Sequence, residues 1–219
     1  MKSSSGLHIC RRIHYPIAFA QAQSQDQARS GMNKRQLQND ARWLRESRLK
    51  AHALPPQVAC WLLDRGSLTQ RVIQSCHGKF SLQLLDQVWQ RPLREESIML
   101  GIDPQQWVLT RHVLLLCDDT PWVYARTVIP RKTLSGRHRR LAHLGDTPLG
   151  AVLFADKDMY RGEVEVGQLH SGQSLYRQIE KVSPCCGEPV WGRRSLFRLS
   201  NKPLLVYECF LSQIGPCRE

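Results

Sequence analysis

Three apolar segments with the alternation of β-strands each carry one charged residue on the face that the pattern predicts to be buried. They are WVLTRHVLLLC with Arg111, PWVYARTVIP with Arg126 and PLLVYECFL with Glu208. Burying an unpaired guanidinium or carboxylate costs on the order of several kcal/mol, so each needs a partner. Two buried cations and one acid suit a small, dianionic, partly apolar ligand. The alternative is an internal ion pair between one of the arginines and Glu208.

The sequence predicts one folded domain with a basic extension. The chain has 219 residues and is 42% hydrophobic, which is ordinary for a soluble globular protein. Its net charge of +12 is uneven, because residues 1–50 hold 10 Lys/Arg against 3 Asp/Glu. We therefore predict a weakly ordered extension over 1–50 and a domain over 51–219. A basic tail can contact nucleic acid or acidic membrane surfaces, but this one lacks a binding motif, so we expect no specific nucleic-acid recognition.

The start of the chain allows two interpretations. Residues 9–20 loosely resemble a secretory signal, but His14, Tyr15 and Pro16 interrupt the apolar stretch. Translation begins either at Met1 or at Met32. No apolar run reaches the length of a transmembrane helix, and we predict a cytoplasmic protein.

The eight cysteines predict neither a zinc site nor a disulfide framework. No C-x-x-C pair occurs, and the adjacent residues Cys185 and Cys186 are poorly placed to be two ligands of one tetrahedral metal. Cys60, Cys117 and Cys209 lie in apolar patterns that favour reduced, buried thiols. We predict a reducing compartment, no metal and no cofactor.

The pattern of elements predicts the α+β class, with a six-stranded antiparallel sheet and helices packed beside it. A capping pattern at Ser67 predicts a helix whose first turn holds Leu68, and Thr147 and Pro148 predict another that includes Leu149. Residues 42–50 form either a short polar helix or a disordered segment. The predicted strands cover 79–89, 106–117, 122–130, 160–168, 194–200 and 203–211. Nucleotide-binding, acyl-hydrolase and metalloprotease motifs are absent from the sequence.

Four segments resemble the chorismate pyruvate-lyase family, over about residues 55–212. The four are LTRHVLLLC (109–117), ARTVIPRKTLSG (125–136), LGDTPLG (144–150) and WGRRSLFRLSNKPLLVYECFL (191–211). A fifth segment, WLLDRGSLTQR (61–71), matches more weakly. The resemblance implies a six-stranded antiparallel sheet that encloses its ligand behind helical flaps. It also implies a monomer that converts chorismate to 4-hydroxybenzoate and pyruvate without a cofactor, the first committed step of ubiquinone biosynthesis.

The resemblance also implies roles for individual residues. Ligand contacts fall on Leu68, Arg111, Leu149 and Glu208, with Arg126 as a further contributor. Arg111 would bind the ring carboxylate, Arg126 the enolpyruvyl carboxylate or the developing enolate, and Glu208 the ring hydroxyl, where it would assist proton transfer. Arg111, Arg126 and Glu208 are the predicted catalytic residues.

The chain departs from the family pattern at Leu68, where methionine is frequent, and at Ala125, where glycine is usual. An insertion near residues 168–187 contains the Cys185–Cys186 pair. We predict that His112 lies on the strand face opposite Arg111, and that Arg193 and Arg194 form a solvated basic patch.

A non-catalytic function remains as the alternative. The same fold serves as a small-molecule binding module in transcriptional regulators, where it would bind an aromatic acid without turnover. Such regulators carry an N-terminal winged-helix domain. Only about 50 residues precede the predicted domain here, and they lack that pattern.

Overall fold

The computed structural model describes residues 41–49, 54–185 and 187–217, and its centre is a seven-stranded antiparallel sheet. The strands are β1 (Trp43–Arg45), β2 (Phe80–Gln90), β3 (Val108–Cys117), β4 (Thr120–Pro130), β5 (Met159–Leu169), β6 (Val190–Leu199) and β7 (Lys202–Phe210). Their order across the sheet is β1-β5-β6-β7-β4-β3-β2. The α+β class and the antiparallel sheet agree with the sequence prediction, whereas the predicted number of six strands is wrong.

Helices cover both faces of the sheet. The α-helices are α1 (Pro56–Leu63), α2 (Leu68–Ser75), α3 (Arg94–Leu100), α4 (Leu149–Phe154) and α5 (Ser174–Glu180). Short 3-10 helices cover Glu46–Arg48, Arg131–Thr133 and Gly136–His143. Apolar residues of α1, α2, α4 and the last 3-10 helix pack on one face, which we call the front face. Those of α3 and α5 pack on the opposite back face. The domain is therefore a three-layer sandwich with the sheet in the middle.

The additional strand is β1, which lies in the segment predicted to be a polar helix or disordered. It pairs with β5 so that Trp43 is opposite Gly167, and a Cβ atom on Gly167 would come within 2.9 Å of the indole ring. The absent side chain thus makes room for Trp43. Three residues are too few to show a strand period, which is why the sequence pattern did not reveal β1.

Tight turns join the central strands of the sheet. Asp118 and Asp119 connect β3 to β4 with φ values of 47° and 62°, and Ser200 and Asn201 connect β6 to β7 with 47° and 65°. Positive φ at both central residues is the type I′ arrangement, whose twist matches that of the flanking strands. Aspartate and asparagine tolerate this conformation better than most residues. These turns set the starting register of both hairpins.

The segment of the predicted insertion contains a packed helix. Leu175, Tyr176 and Ile179 of α5 are buried against the back face. Cys185 is partly buried, and Cys186 lies outside the described residues.

A disulfide corrects the prediction that Cys117 is a reduced thiol. Cys117 is the last residue of β3 and is bonded to Cys76, which follows the last residue of α2. The fold brings their Cα atoms to 5.6 Å, within the ordinary range for a disulfide. Cys76 was not recognised as a partner because the two residues are 41 positions apart. Cys60 and Cys209 are free thiols, as predicted. Cys209 is also buried, which raises its pKa, whereas the predicted burial of Cys60 is wrong because Cys60 is exposed.

Reduction of the Cys76–Cys117 disulfide should destabilise the protein, because the unfolded chain then loses a constraint and gains conformational entropy. For a separation of 41 residues the loop-entropy relation gives about 4 kcal/mol. We expect thermal unfolding of the wild type to shift to lower temperature in reductant. The Cys76→Ser variant should unfold at that lower temperature with or without reductant. Identical unfolding of the oxidised and reduced wild type would contradict this role.

Candidate active site

A cavity of about 60 Å³ lies between the front face of the sheet and the first turns of α2 and α4. This volume holds several water-sized groups. Four residues predicted as ligand contacts line it, namely Leu68, Arg111, Leu149 and Glu208. The structure thus brings together positions that are up to 140 residues apart, and their role in binding remains a prediction.

The starts of the two helices touch each other above the cavity. Gly150, in the first turn of α4, approaches Ser67, the residue before α2, so closely that an added Cβ would lie 3.1 Å from the serine hydroxyl. The first N–H groups of a helix have no partner within the helix. The cavity is therefore roofed by two helix ends whose backbone donors suit an anionic ligand.

Arg111 is buried, with a relative exposure of 2%, and is only partly satisfied. Its Nη2 donates to the carbonyl oxygens of Gly145 at 2.8 Å and Thr147 at 3.1 Å. Its Nε is buried and has no hydrogen-bond partner within the described part of the chain, where no carboxylate lies within 4.0 Å of the guanidinium either. Burial lowers the pKa of Arg111. A desolvated cation with unused donors is left to face the cavity.

Glu208 is held from one side by two arginines. Its Oε2 accepts a hydrogen bond from Nε of Arg193 at 2.5 Å, and Nη2 of Arg161 lies 3.9 Å from the same oxygen. Its Oε1 accepts no hydrogen bond from any residue that the structure describes. One carboxylate oxygen is therefore fixed, and the other remains available to a ligand.

The prediction of a solvated patch at Arg193 and Arg194 is wrong. Arg193 is fully buried and also donates to the backbone carbonyls of Trp61 and Asp64, and Arg194 pairs with Glu95 and Glu165. The sequence held a usable signal, because the two-residue turn after β6 places Arg193 directly opposite Glu208. Cross-strand neighbours of opposite charge on an interior face form an ion pair.

Arg126 does not line the cavity, which corrects its predicted place beside the ligand. Its guanidinium lies on the back face, where Nε and Nη2 donate to the Glu96 carboxylate at 2.8 and 3.1 Å. Glu96 belongs to α3 and is itself fully buried. Arg126 therefore has a complete internal partner, and the internal ion pair considered from sequence exists with a different acid from Glu208.

A β-bulge explains this change of face. Next to the turn, Cys117 pairs with Thr120 and Leu116 with Pro121, a register that would continue to place Arg111 opposite Arg126. The register shifts between Leu115 and Leu116, so that Arg111 pairs with Thr127 instead. One extra residue reverses the face of every later side chain on that strand. Thr127 thus lines the cavity, and Arg126 points away from it.

Arg161 is the cation in the cavity lining that sequence reasoning missed. It lies on β5, with its guanidinium over the Phe197 ring at 5.3 Å, and burial lowers its pKa. Its Nε donates to the Ser195 hydroxyl at 3.1 Å, and its Nη1 to the Arg65 carbonyl at 2.9 Å. In regular alternation Arg161 would lie on the face opposite Val166, and the irregular pairing between Arg161 and Val164 turns it to the same face.

His112 belongs to a buried polar network on the back face. This agrees with the prediction that it lies on the face of the strand opposite to that of Arg111. Arg126 donates to His112 Nε2 at 2.6 Å, so Nδ1 carries the ring proton and donates to the Tyr124 hydroxyl at 2.9 Å. Tyr124 in turn donates to Gln178 at 3.1 Å. Burial and the neighbouring Arg126 lower the pKa of His112 to about 3, so its 3.7 Å approach to Asp86 is no ion pair at neutral pH.

A second, more open depression lies apart from this cavity. Its volume is about 520 Å³, and its lining includes Trp89, Trp107, Arg131 and Arg139. It shares no lining residue with the cavity and holds none of the predicted ligand contacts. The smaller and less open cavity, which holds those contacts, is therefore the candidate active site.

The described ranges contain no group of three or more His, Cys, Asp or Glu side chains placed to hold a metal ion. In the same ranges, none of the helices has the length and hydropathy needed to cross a membrane.

The fold and site define an α+β protein with a pocket lined by two arginines, Arg111 and Arg161, and one acid, Glu208. The sequence model of the family described as chorismate lyase matches residues 37–215, and the chain belongs to this family. A chorismate pyruvate-lyase of Hamiltonella defensa is 40% identical over 72% of this chain and 79% of its own length. A probable chorismate pyruvate-lyase of Methylobacillus flagellatus is 37% identical over 79% of this chain and 94% of its own.

A solved structure shares the fold at much lower identity. The crystal structure of PhnF from Mycobacterium smegmatis aligns with 70% of this chain and 67% of its own, with 13% identity and a TM-score of 0.51. At this identity the likeness concerns the fold alone.

Breaking the ion pair on the back face should destabilise the fold without abolishing ligand binding. Arg126→Met leaves the Glu96 carboxylate buried and uncompensated, a loss of about 3–5 kcal/mol in the free energy of unfolding. The double variant with Glu96→Gln should recover part of this loss. Urea unfolding measures both, and calorimetric titration with 4-hydroxybenzoate should give nearly the wild-type affinity for the folded fraction. If the Arg126→Met protein is stable but does not bind 4-hydroxybenzoate, Arg126 contributes to the ligand site.

His112 should make stability depend on pH in the mildly acidic range. Its pKa is lowered to about 3 in the folded state from an ordinary 6.5, so the unfolded chain takes up the proton first. The contribution to stability is complete above pH 6.5 and is lost as the pH falls from there towards 3. Between pH 7 and pH 5 the wild type should lose about 2 kcal/mol more than His112→Gln. Urea unfolding at both pH values measures the difference, and parallel losses would refute this assignment.

Proposed function

We propose that this protein is a chorismate pyruvate-lyase, which converts chorismate to 4-hydroxybenzoate and pyruvate at the first committed step of ubiquinone biosynthesis. The observation that carries the proposal is the buried Arg111 guanidinium, which faces an enclosed cavity with donors that the described residues leave unused. A carboxylate on a small ring would satisfy them. The names of the curated relatives, at 33–40% identity over most of this chain, support the same activity.

The ring carboxylate of chorismate would bind to Arg111. The charge-assisted bond forms in a site with little water, where it is stronger than in solution. The Gly145 and Thr147 carbonyls hold Nη2 and thereby fix the plane of the guanidinium. Backbone N–H groups at Leu68 and Leu149 would complete the anion site from above.

Glu208 would bind the ring hydroxyl at the opposite end of the ring. Its Oε1 can accept a hydrogen bond from this hydroxyl, because the Arg193 contact holds the carboxylate by Oε2. Apolar side chains between the two ends, including Val113 and Val206, line the cavity and suit the ring. The ligand is thereby positioned along one axis, with its anionic end at Arg111.

The reaction then needs positioning and proton transfer. The ether bond between the ring and the enolpyruvyl oxygen breaks, and the adjacent carbon that carries the hydroxyl loses its hydrogen. The enolpyruvyl methylene carbon gains one hydrogen and becomes the methyl group of pyruvate, so atoms and electrons balance without another reactant. Aromatisation of the ring supplies driving force. Glu208, bound to that hydroxyl, is the group placed to assist the proton transfer.

Purified protein should release equimolar 4-hydroxybenzoate and pyruvate from chorismate in the presence of a chelator. Arg111→Ala removes charged hydrogen bonds worth about 1.5–3 kcal/mol each, so affinity for 4-hydroxybenzoate should fall at least about 10-fold. Glu208→Gln should lower turnover by about 100-fold or more while the protein stays folded. Arg198→Ala, at an exposed position on β6, serves as the control and should behave as wild type.

The opposite results would identify other roles. Binding of 4-hydroxybenzoate by wild-type protein without turnover would indicate the non-catalytic binding module. Unfolding of Arg111→Ala without a specific loss of binding would make Arg111 a structural residue. Unchanged turnover of Glu208→Gln would remove Glu208 from the mechanism.

A further inference from the structure

We propose that Arg161 binds the second carboxylate of the substrate, on the enolpyruvyl side chain, and so lets the site distinguish the dianionic substrate from the monoanionic aromatic product. The proposal rests on the lyase function stated above. It gives Arg161 the role that the sequence assigned to Arg126, whose guanidinium is on the other face of the sheet.

The sheet order places Glu208 midway between Arg111 and Arg161. Its strand, β7, is two strands away from β3 and two strands away from β5, or about 10 Å in each direction. Arginine side chains from both sides can reach inward over this distance. A ligand whose hydroxyl lies at Glu208 therefore has one cation at each side.

The guanidinium of Arg161 leans towards the part of the sheet that carries Arg111. Pairing across the strands runs from Arg111 through Thr127 and Val206 to Ser195. Nε of Arg161 donates to the hydroxyl of that same Ser195. The charged end of Arg161 is thus drawn towards the row that contributes Arg111, Thr127 and Val206 to the cavity lining.

Part of the Arg161 guanidinium is unused. Nε and Nη1 are engaged by Ser195 and by the Arg65 carbonyl, but Nη2 makes no hydrogen bond to any described residue and lies 3.9 Å from Glu208 Oε2. The side chain is only 12% exposed, so water does little to satisfy it. A ligand carboxylate would replace the missing acceptor.

The charges of the site match two carboxylates. The charged residues that line the cavity are Arg111, Arg161 and Glu208, and the buried Arg193 beside the lining neutralises Glu208 through its close contact. Two cations remain for the ligand. The aromatic product has one carboxylate, which Arg111 binds, so it leaves Arg161 without an anion.

The alternative is that Arg161 has a purely structural role, because it also contacts backbone carbonyls just before α2. Nη1 donates to Arg65 and lies 3.5 Å from the Gly66 carbonyl. If holding this segment were its only task, its removal would weaken substrate and product binding alike. Binding a second carboxylate predicts a selective loss instead.

The experiment measures kcat/KM for chorismate and the Kd of 4-hydroxybenzoate for Arg161→Gln, Arg161→Lys and the exposed control Arg198→Gln. For Arg161→Gln we expect kcat/KM to fall about 100-fold, because about two charged hydrogen bonds are lost. The Kd of the product should change less than about 3-fold. Arg161→Lys, which keeps the charge, should recover part of the activity, and Arg198→Gln should match wild type.

Each contrary result overturns a stated part of the argument. Unchanged kcat/KM in Arg161→Gln, or equal losses for substrate and product, would overturn the carboxylate assignment while leaving the lyase function intact. Failure of Arg161→Lys to exceed Arg161→Gln would exclude charge as the cause. A wild-type protein that does not turn over chorismate would overturn the proposed function and this assignment with it.

Discussion

The buried contact between Arg193 and Glu208 joins the parts of the protein on which the candidate site depends. Arg193 binds the carboxylate on the neighbouring strand and the carbonyls of Trp61 and Asp64 at the end of α1. It thereby links the centre of the sheet to the chain that leads into α2, the helix whose first residue lines the cavity. The same contact occupies one oxygen of Glu208, and the other accepts no hydrogen bond from the described residues. Because the contact is buried, loss of either partner would leave an isolated charge inside the protein and destabilise the fold.

Two buried arginines on opposite faces of the sheet, Arg126 and Arg111, differ in how fully they are paired. On the back face, Arg126 is saturated by Glu96 and His112, and the network continues through Tyr124. On the front face, Arg111 is bound only to two carbonyl oxygens and retains a donor without a partner among the described residues. A saturated cation stabilises a fold, whereas an unsaturated one favours a ligand of opposite charge. The difference supports a structural role for Arg126 and the proposed binding role for Arg111, although both are almost equally buried.

Local sequence was sufficient for the features that depend on alternation and turns, and insufficient for those that depend on irregular pairing. Arg111 and Glu208 were placed on an interior face because regular strands alternate. The start of α2 at Leu68 agrees with the pattern at Ser67, whereas α4 begins at Leu149, one residue later than Thr147 and Pro148 predicted. Arg126 was misplaced by a single bulge, whose position no local pattern indicates. Arg161 was missed because its face depends on the irregular pairing between Arg161 and Val164, and the disulfide was missed because Cys76 meets Cys117 only in the folded chain.

The short strand β1 has a consequence for how the protein meets other copies of itself. An open sheet edge offers free N–H and C=O groups to any passing strand. Here β1 covers Glu165 to Gly167 of β5, and the pairing irregularity near Arg161 bends the rest of that strand. With only three residues, β1 is itself a poor template for a further strand. Among the described residues, β1 thus protects this edge of the sheet against pairing with strands of other molecules.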